Sequence, residues 1–145
     1  MGHLSDPGPD EGTFSTADVQ GASKPTDWKF SRTIALTPGC YETTPNIGIG
    51  INAFDTAPKK PDNIRLRANV SNASTETFDV CAEQWYTSNL NSARLVWLEN
   101  REGAKDTQIG EWYTTTREQK QKGQIKFKQA FAEPPTIVVW LKPLT

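Results

Sequence analysis

Hydrophobic and polar residues alternate along most of the chain, which is the pattern of β-strands that bury one face. The alternation is clearest at 47–53 and 64–70, and further strands are predicted at 78–82 and 93–98. Turn-forming segments with Gly, Pro, Asp and Ser separate these strands at intervals of about 8 to 12 residues. No amphipathic segment is long enough for a helix. The pattern therefore predicts an all-β fold built as an antiparallel β-sandwich.

The segment 47–53 carries a second signal, because its polar-side positions are glycines. Ile47, Ile49, Ile51 and Ala53 are predicted to face the core, while Gly48 and Gly50 face the other side. Glycine in the interior of a strand often marks a close approach by another backbone. We therefore expect another backbone to approach this face closely.

The chain also contains a partial internal repeat. Segments 12–16, 34–36 and 45–51 are echoed at 110–114, 125–127 and 135–141. This pattern predicts a lead-in at 1–11, a module at 12–99, a linker at 100–109 and a partial second module at 110–145. The segment 136–141 is apolar on both faces, so it should pack on the first module, on another chain or on residues outside these 145. The interpretation favoured by the repeat is a tandem protein with a truncated second module.

Composition and charge exclude several classes of protein. A chain of 145 residues suffices for one domain, and 35% hydrophobic with 23% charged residues is typical of neither a membrane protein nor a disordered one. A net charge of -1 gives no electrostatic reason to expect nucleic acid as a partner. No apolar run approaches the roughly 20 residues that span a bilayer, so membrane insertion is not expected. The first residues lack the apolar core of a signal peptide, which leaves a cytoplasmic location, non-classical secretion or a leader outside these residues.

The chemistry-bearing residues give little support for catalysis, a metal or a cofactor. His3 is the only histidine, and no Ser-His-Asp or Cys-His arrangement and no phosphate-binding loop is present. Cys40 and Cys81 are the only cysteines, and either a single bridge or two separate buried thiols would fit them. We therefore expect a non-enzymatic protein.

A set of residues in a fixed order carries a family resemblance. The set comprises Gly12–Phe14, Ile34–Leu36, Pro45–Ile51, Asp55, Asn63-Ile64-Arg65, Phe78, Trp85 and Trp97-Leu98. Taken together, it resembles the H-type lectin domain. The resemblance covers about 12–99 in full and 110–141 in part. It implies a six-stranded antiparallel sandwich that assembles as a homotrimer or, here, as a pseudo-oligomer of tandem modules.

The resemblance also implies a function and a site. Members bind galactose or N-acetylgalactosamine in a cleft between neighbouring subunits. One subunit would supply Asp27 and Arg65, and its neighbour would supply Trp85, Tyr86 and the residue near Asn91. Tyr86 stands where a snail member of the family has histidine, and Asn91 stands near a position that is aromatic in the family. The expected partner is therefore a galactose-type glycan.

The chemistry of these residue types agrees with sugar binding. A neutral hexose is held by charge-assisted hydrogen bonds to its hydroxyls and by packing of its C–H face on an aromatic ring. Alternatives stay open for each residue: Trp85 as a packing residue, Arg65 as a surface charge and Asp27 as a turn residue. Trp97 is expected to be structural. The alternative functions are a structural or adhesion module without sugar binding and a targeting domain of a larger enzyme.

Overall fold

The computed structural model describes residues 11–16, 29–56, 64–85, 90–100, 104–113 and 122–144. Within these ranges it contains β-strands and no α-helix. The strands are β1 (Glu11–Ser15), β2 (Lys29–Ala35), β3 (Asn46–Thr56), β4 (Leu66–Ser71), β5 (Thr77–Gln84), β6 (Leu90–Asn100) and β7 (Pro143–Leu144). All of their pairings are antiparallel, so the predicted all-β class is confirmed.

The first six strands form two sheets of three strands each. One sheet has the order β1-β6-β3, and the other has the order β2-β5-β4. The two-residue strand β7 extends the second sheet beyond β4, where Leu144 pairs with Leu66 and Pro143 with Arg67. This is the antiparallel sandwich that the alternation predicted, with the six strands that the family resemblance implied and a short added strand at one edge.

The core lies between the sheets and is formed by every second side chain of the strands, as alternation requires. Phe78, Val80 and Ala82 of β5 are fully buried, as are Leu66 and Ala68 of β4. Burying an aliphatic or aromatic side chain of this size contributes about 1.5–3 kcal/mol, so these rows are a main source of stability. The buried hydrophobic cluster comprises Phe14, Leu36, Ile49, Ile51, Leu66, Ala68, Phe78, Val80, Ala82, Ala93, Leu95 and Trp97.

Trp97 occupies the structural position that was expected for it. Its side chain is buried, and its ring meets Phe78 edge to face, with the ring centroids 5.0 Å apart and an interplanar angle of 75°. An edge-to-face pair of this kind adds attraction between the rings to the burial of their apolar area. Trp97 therefore joins the two sheets, since it lies on β6 and Phe78 lies on β5.

The inward row of β3 ends earlier than the alternation predicted. Ile49 and Ile51 are buried, but Ala53 is exposed, so its predicted inward orientation is wrong. The pairing with β6 shifts between Ile51 and Ala53, because Ile51 pairs with Leu95 and Ala53 with Arg94. A bulge inserts an extra residue into one strand, which moves the following side chains to the opposite face.

The glycine face of β3 is approached closely, as the two glycines predicted, and the C-terminal part of the chain covers it. A Cβ at Gly50 would lie closer than 3.0 Å to Trp140, and one at Gly48 would lie 3.0 Å from the Ile109 side chain. The backbone N–H of Ile51 donates to the carbonyl of Leu141 at 2.6 Å, and that of Ala68 donates to the carbonyl of Lys142 at 3.0 Å. The C-terminal segment therefore packs on the sandwich and joins β3 to β4, the edge strands of the two sheets.

Little regular structure is present in the described parts of the C-terminal region, 104–113 and 122–144. In these two ranges the regular secondary structure is the short strand β7, and Leu141 forms an isolated bridge with Ile51. Several large apolar side chains of this region are exposed: Trp112, Tyr113, Ile125, Phe127, Ile137, Val138, Val139 and Leu141. The division into a module at 12–99 and a partial second module at 110–145 stays a prediction.

Two further observations concern the cysteines and the search for membrane-spanning helices. Cys40 and Cys81 are both free thiols, so the alternative of two separate thiols is the one that the structure supports. Among the described residues, no helix combines the length and the apolar character needed to cross a bilayer.

Candidate functional site

The strand order brings several of the predicted site residues to one end of the sandwich. β5 ends at Gln84 and β6 begins at Leu90, so the end of one sheet is connected to the start of the other by a short stretch of chain. Arg65 directly precedes β4, Trp85 directly follows β5, and Asn91 lies at the start of β6. Asp27 and Tyr86 lie outside the described residues.

Arg65 and Trp85 lie beside each other in the chain's own β-ladder. Leu66 pairs with Gln84 at the end of the β4–β5 ladder, and Arg65 and Trp85 flank that pair. Both side chains are half-buried. The antiparallel register therefore brings the predicted guanidinium and the predicted aromatic ring to the same end of one sheet within a single chain.

Alternation along the strands places two further charged residues on the same face. Residues two apart in a strand share a face, so Arg67 lies on the face of Arg65 and Glu83 on the face of Trp85. Arg67 and Glu83 are paired across the ladder. The outer face of this sheet therefore presents Arg65, Arg67, Glu83 and Trp85 together, away from the core.

Hydrogen bonds and ion pairs connect the charged residues of this face. The Arg67 guanidinium donates to Glu83 Oε2 through Nε at 3.1 Å and through Nη2. The Lys29 ammonium lies 3.2 Å from Glu83 Oε1, so both carboxylate oxygens are engaged by a cation. The Arg67 Cζ atom is 5.9 Å from the centroid of the Trp85 ring, close to the limit of about 6 Å for a cation–π contact.

The ion pairs favour the charged forms of Glu83 and Lys29. The hydrogen bond from Arg67 holds the pKa of the Glu83 carboxyl below its ordinary value, and the bond from Lys29 acts in the same direction. The same contact with Glu83 raises the pKa of Lys29. Burial raises the pKa of the neighbouring Cys81 thiol, which therefore stays neutral. The face thus offers fixed charges of both signs beside an aromatic ring.

Asn91 is engaged by a residue of the neighbouring strand β3 in its own sheet. Its Nδ2 donates to Asp55 Oδ2 at 3.1 Å, and Asp55 is an exposed residue near the end of β3. The carboxylate of Asp55 therefore faces the position at which the resemblance implies an aromatic residue. An amide held by a carboxylate can present hydrogen-bonding groups to a ligand, but it has no apolar ring on which a sugar could pack.

Sequence reasoning missed Arg67, Glu83 and Lys29 as neighbours of the candidate site. The spacing held a usable signal for two of them, because Arg67 follows Arg65 by two positions and Glu83 precedes Trp85 by two. Their common face depends on the β4–β5 register, which alternation alone does not determine. Among the described residues, no group of three or more His, Cys, Asp or Glu side chains is arranged to hold a metal ion.

Comparison with known protein families identifies this part of the chain. Residues 38–98, which include β3, β4, β5 and most of β6, match the model of the H-type lectin domain. This match confirms the resemblance seen in the sequence, and it indicates a carbohydrate-binding lectin. Arg65, Trp85, Tyr86 and Asn91 lie inside the matched range, and Asp27 lies before it. The comparison with curated proteins gives no match.

Proposed function

We propose that the chain is a lectin that recognises galactose- or N-acetylgalactosamine-type glycans at the end of the sandwich where Arg65 and Trp85 lie. One observation carries this proposal: within the range that matches the H-type lectin domain, these two residues flank the same pair of the β4–β5 ladder. A guanidinium beside an aromatic ring supplies both components of hexose recognition, hydrogen bonds to hydroxyls and packing of the C–H face.

The remaining residues of the proposed site have complementary roles. Asp27 supplies a carboxylate that accepts hydrogen bonds from sugar hydroxyls, and the Tyr86 hydroxyl takes the position of a histidine. Asn91, held by Asp55, supplies amide groups at the rim. We propose that these residues meet in a cleft between subunits of a trimer or between tandem modules. Several weak sites in one assembly then bind a glycan-covered surface by avidity.

The proposal is tested by a glycan array run together with size-exclusion chromatography and light scattering. The wild type is compared with Arg65→Ala, Trp85→Ala and the control Arg94→Ala, an exposed arginine on β6 of the other sheet. We expect the first two variants to lose binding to galactosides and the control to keep it. If Arg65→Ala and Trp85→Ala bind as well as the wild type at the same oligomeric state, the site is wrong.

A second function is a structural or adhesion module that does not bind sugar. The bond between Asn91 and Asp55 favours it, because the amide at a position that is aromatic in the family is already held by the protein itself. In that case the array shows no glycan above background, while light scattering still shows a defined assembly.

A further inference from the structure

We propose that Arg67, held in place by Glu83, binds saccharide together with Trp85 of the same chain. This inference rests on the proposed function, since it requires that Trp85 contacts the sugar. In the arrangement implied by the family resemblance, the arginine and the tryptophan of a site come from different subunits. Here the geometry gives each chain its own pair of a guanidinium and an aromatic ring, with the guanidinium 5.9 Å from the ring centroid.

Arg67 is oriented before any ligand binds. Two of its N–H groups donate to a single oxygen of Glu83, and Lys29 holds the other oxygen at 3.2 Å. A long exposed side chain usually loses rotamer freedom when it binds a ligand, and this loss weakens binding. Because Glu83 already fixes the Arg67 side chain, much of this rotamer freedom is lost on folding. The cost on ligand binding is therefore smaller.

Arg67 also keeps hydrogen-bonding capacity toward the solvent. A guanidinium has five N–H donors in a planar fork, and Glu83 accepts from two of them. The Arg67 side chain is 52% exposed, so further donors can reach a molecule that approaches this face. Neighbouring hydroxyls of a hexose are ligands that a planar fork can bind through two of its donors.

The position of Trp85 explains why a sugar would meet Arg67. The Arg67 guanidinium lies over the indole, 5.9 Å from the ring centroid, which is the far end of the cation–π range and looser than close stacking. A pyranose that packs its C–H face on the part of the Trp85 ring that Arg67 leaves open would direct hydroxyls at its edge toward Arg67. The ligand class is a neutral hexose with adjacent hydroxyls.

The experiment follows Trp85 directly by fluorine NMR of the full chain labelled with 5-fluorotryptophan. The chain has five tryptophans, so the Trp85 signal is assigned from the signal that disappears in Trp85→Phe. The monovalent probes methyl α-N-acetylgalactosaminide and methyl α-galactoside are titrated separately, which removes avidity from the measurement. The variants are Arg67→Met, Arg67→Lys and the control Arg94→Met, whose arginine is exposed on the other sheet.

We expect saturable shifts of the Trp85 signal in the wild type and the control. In Arg67→Met the affinity should fall about tenfold or more, which is the effect of losing one hydrogen bond to a charged group. Arg67→Lys should recover only part of this loss, since an ammonium lacks the planar fork. The Trp85 signal of sugar-free Arg67→Met should also move relative to the wild type, because the guanidinium beside the ring is gone.

Two different results would overturn the inference. If Arg67→Met binds within about twofold of the wild type while Trp85→Ala loses binding on the glycan array, the site operates without Arg67. If neither probe shifts any tryptophan signal of the wild type and the array shows no binder, the proposed function fails and this inference fails with it. Arg67→Lys keeps a cation beside Glu83, so it also decides the question if Arg67→Met does not fold.

Discussion

Substitution of Gly50 by alanine should detach the C-terminal segment from the sandwich. An alanine Cβ at this position would lie closer than 3.0 Å to both Cβ and Cγ of Trp140. Neither atom is at the flexible far end of a side chain, so the backbone near Trp140 must move. Gly48→Ala is the matched control on the same face of β3, because its new Cβ would meet the end of the Ile109 side chain at 3.0 Å, where a rotation can relieve the contact.

The magnitude follows from the contacts that hold this segment. Moving Trp140 disturbs the hydrogen bonds from Ile51 N–H to Leu141 and from Ala68 N–H to Lys142. Each contributes about 0.5–1.5 kcal/mol net, so losing both costs about 1–3 kcal/mol. Replacing a strand glycine by alanine otherwise gains about 0.5–1 kcal/mol of backbone entropy, and Gly48→Ala should show mainly this gain.

Hydrogen exchange at two amides measures the effect without a need for global unfolding. In Gly50→Ala the amides of Ile51 and Ala68 should exchange about 5- to 100-fold faster, while in Gly48→Ala they should exchange at the wild-type rate or more slowly. Amides of the central strand β5 serve as internal controls. Equal protection of Ile51 and Ala68 in both variants would refute the reasoning, since it would show that Trp140 is not held against Gly50.

Two further predictions concern the polar face and the thiols. Glu83→Gln should destabilise the fold by about 1 kcal/mol or less at pH 7 in urea unfolding, because it removes a partly exposed ion-pair network. The folded pKa of Glu83 lies below the ordinary value of 4.5, so this contribution is present above that value and is lost as the pH falls through the folded pKa. The difference between wild type and variant should therefore shrink as the pH falls below 4.5 and vanish in strong acid, whereas an equal difference at pH 7 and in strong acid would contradict the role of the ion pair. Thiol titration with an aromatic disulfide should count two free cysteines, with half-buried Cys40 reacting first and buried Cys81 reacting slowly, because burial raises the pKa of Cys81 and blocks access to it. Equal rates for both thiols in the folded protein, or a count below two under reducing-agent-free conditions, would contradict this prediction.

Much of the sandwich could be predicted from local patterns. The inward rows on β4 and β5 follow directly from alternation, since consecutive side chains of a strand point to opposite faces. Gly48 and Gly50 predicted a close approach on the outer face of β3, and the structure confirms it. What no local pattern contained was the identity of the approaching residues, Ile109 and Trp140.

The residues of the candidate site could be predicted in part, but the contacts between them could not. Arg65 and Trp85 could be selected from residue types and a family resemblance. Their position at one end of the β4–β5 ladder, with Arg67 and Glu83 on the same face, depends on the register between two strands. A shift of that register by one residue would move every side chain of a strand to the other face, so the contacts of Arg67 could not be read from its place in the chain.

The sequence alone therefore determined the strands, the faces that most of their side chains occupy and the class of domain, because these depend on a period of two and on short motifs. Tertiary structure decided the rest. It moved Ala53 out of the core through a bulge, placed the C-terminal segment across the edges of both sheets and set Arg67 between Glu83 and Trp85. Each of these outcomes depends on pairing between residues that are distant in the chain, and such pairing is settled by the packing of the whole sandwich.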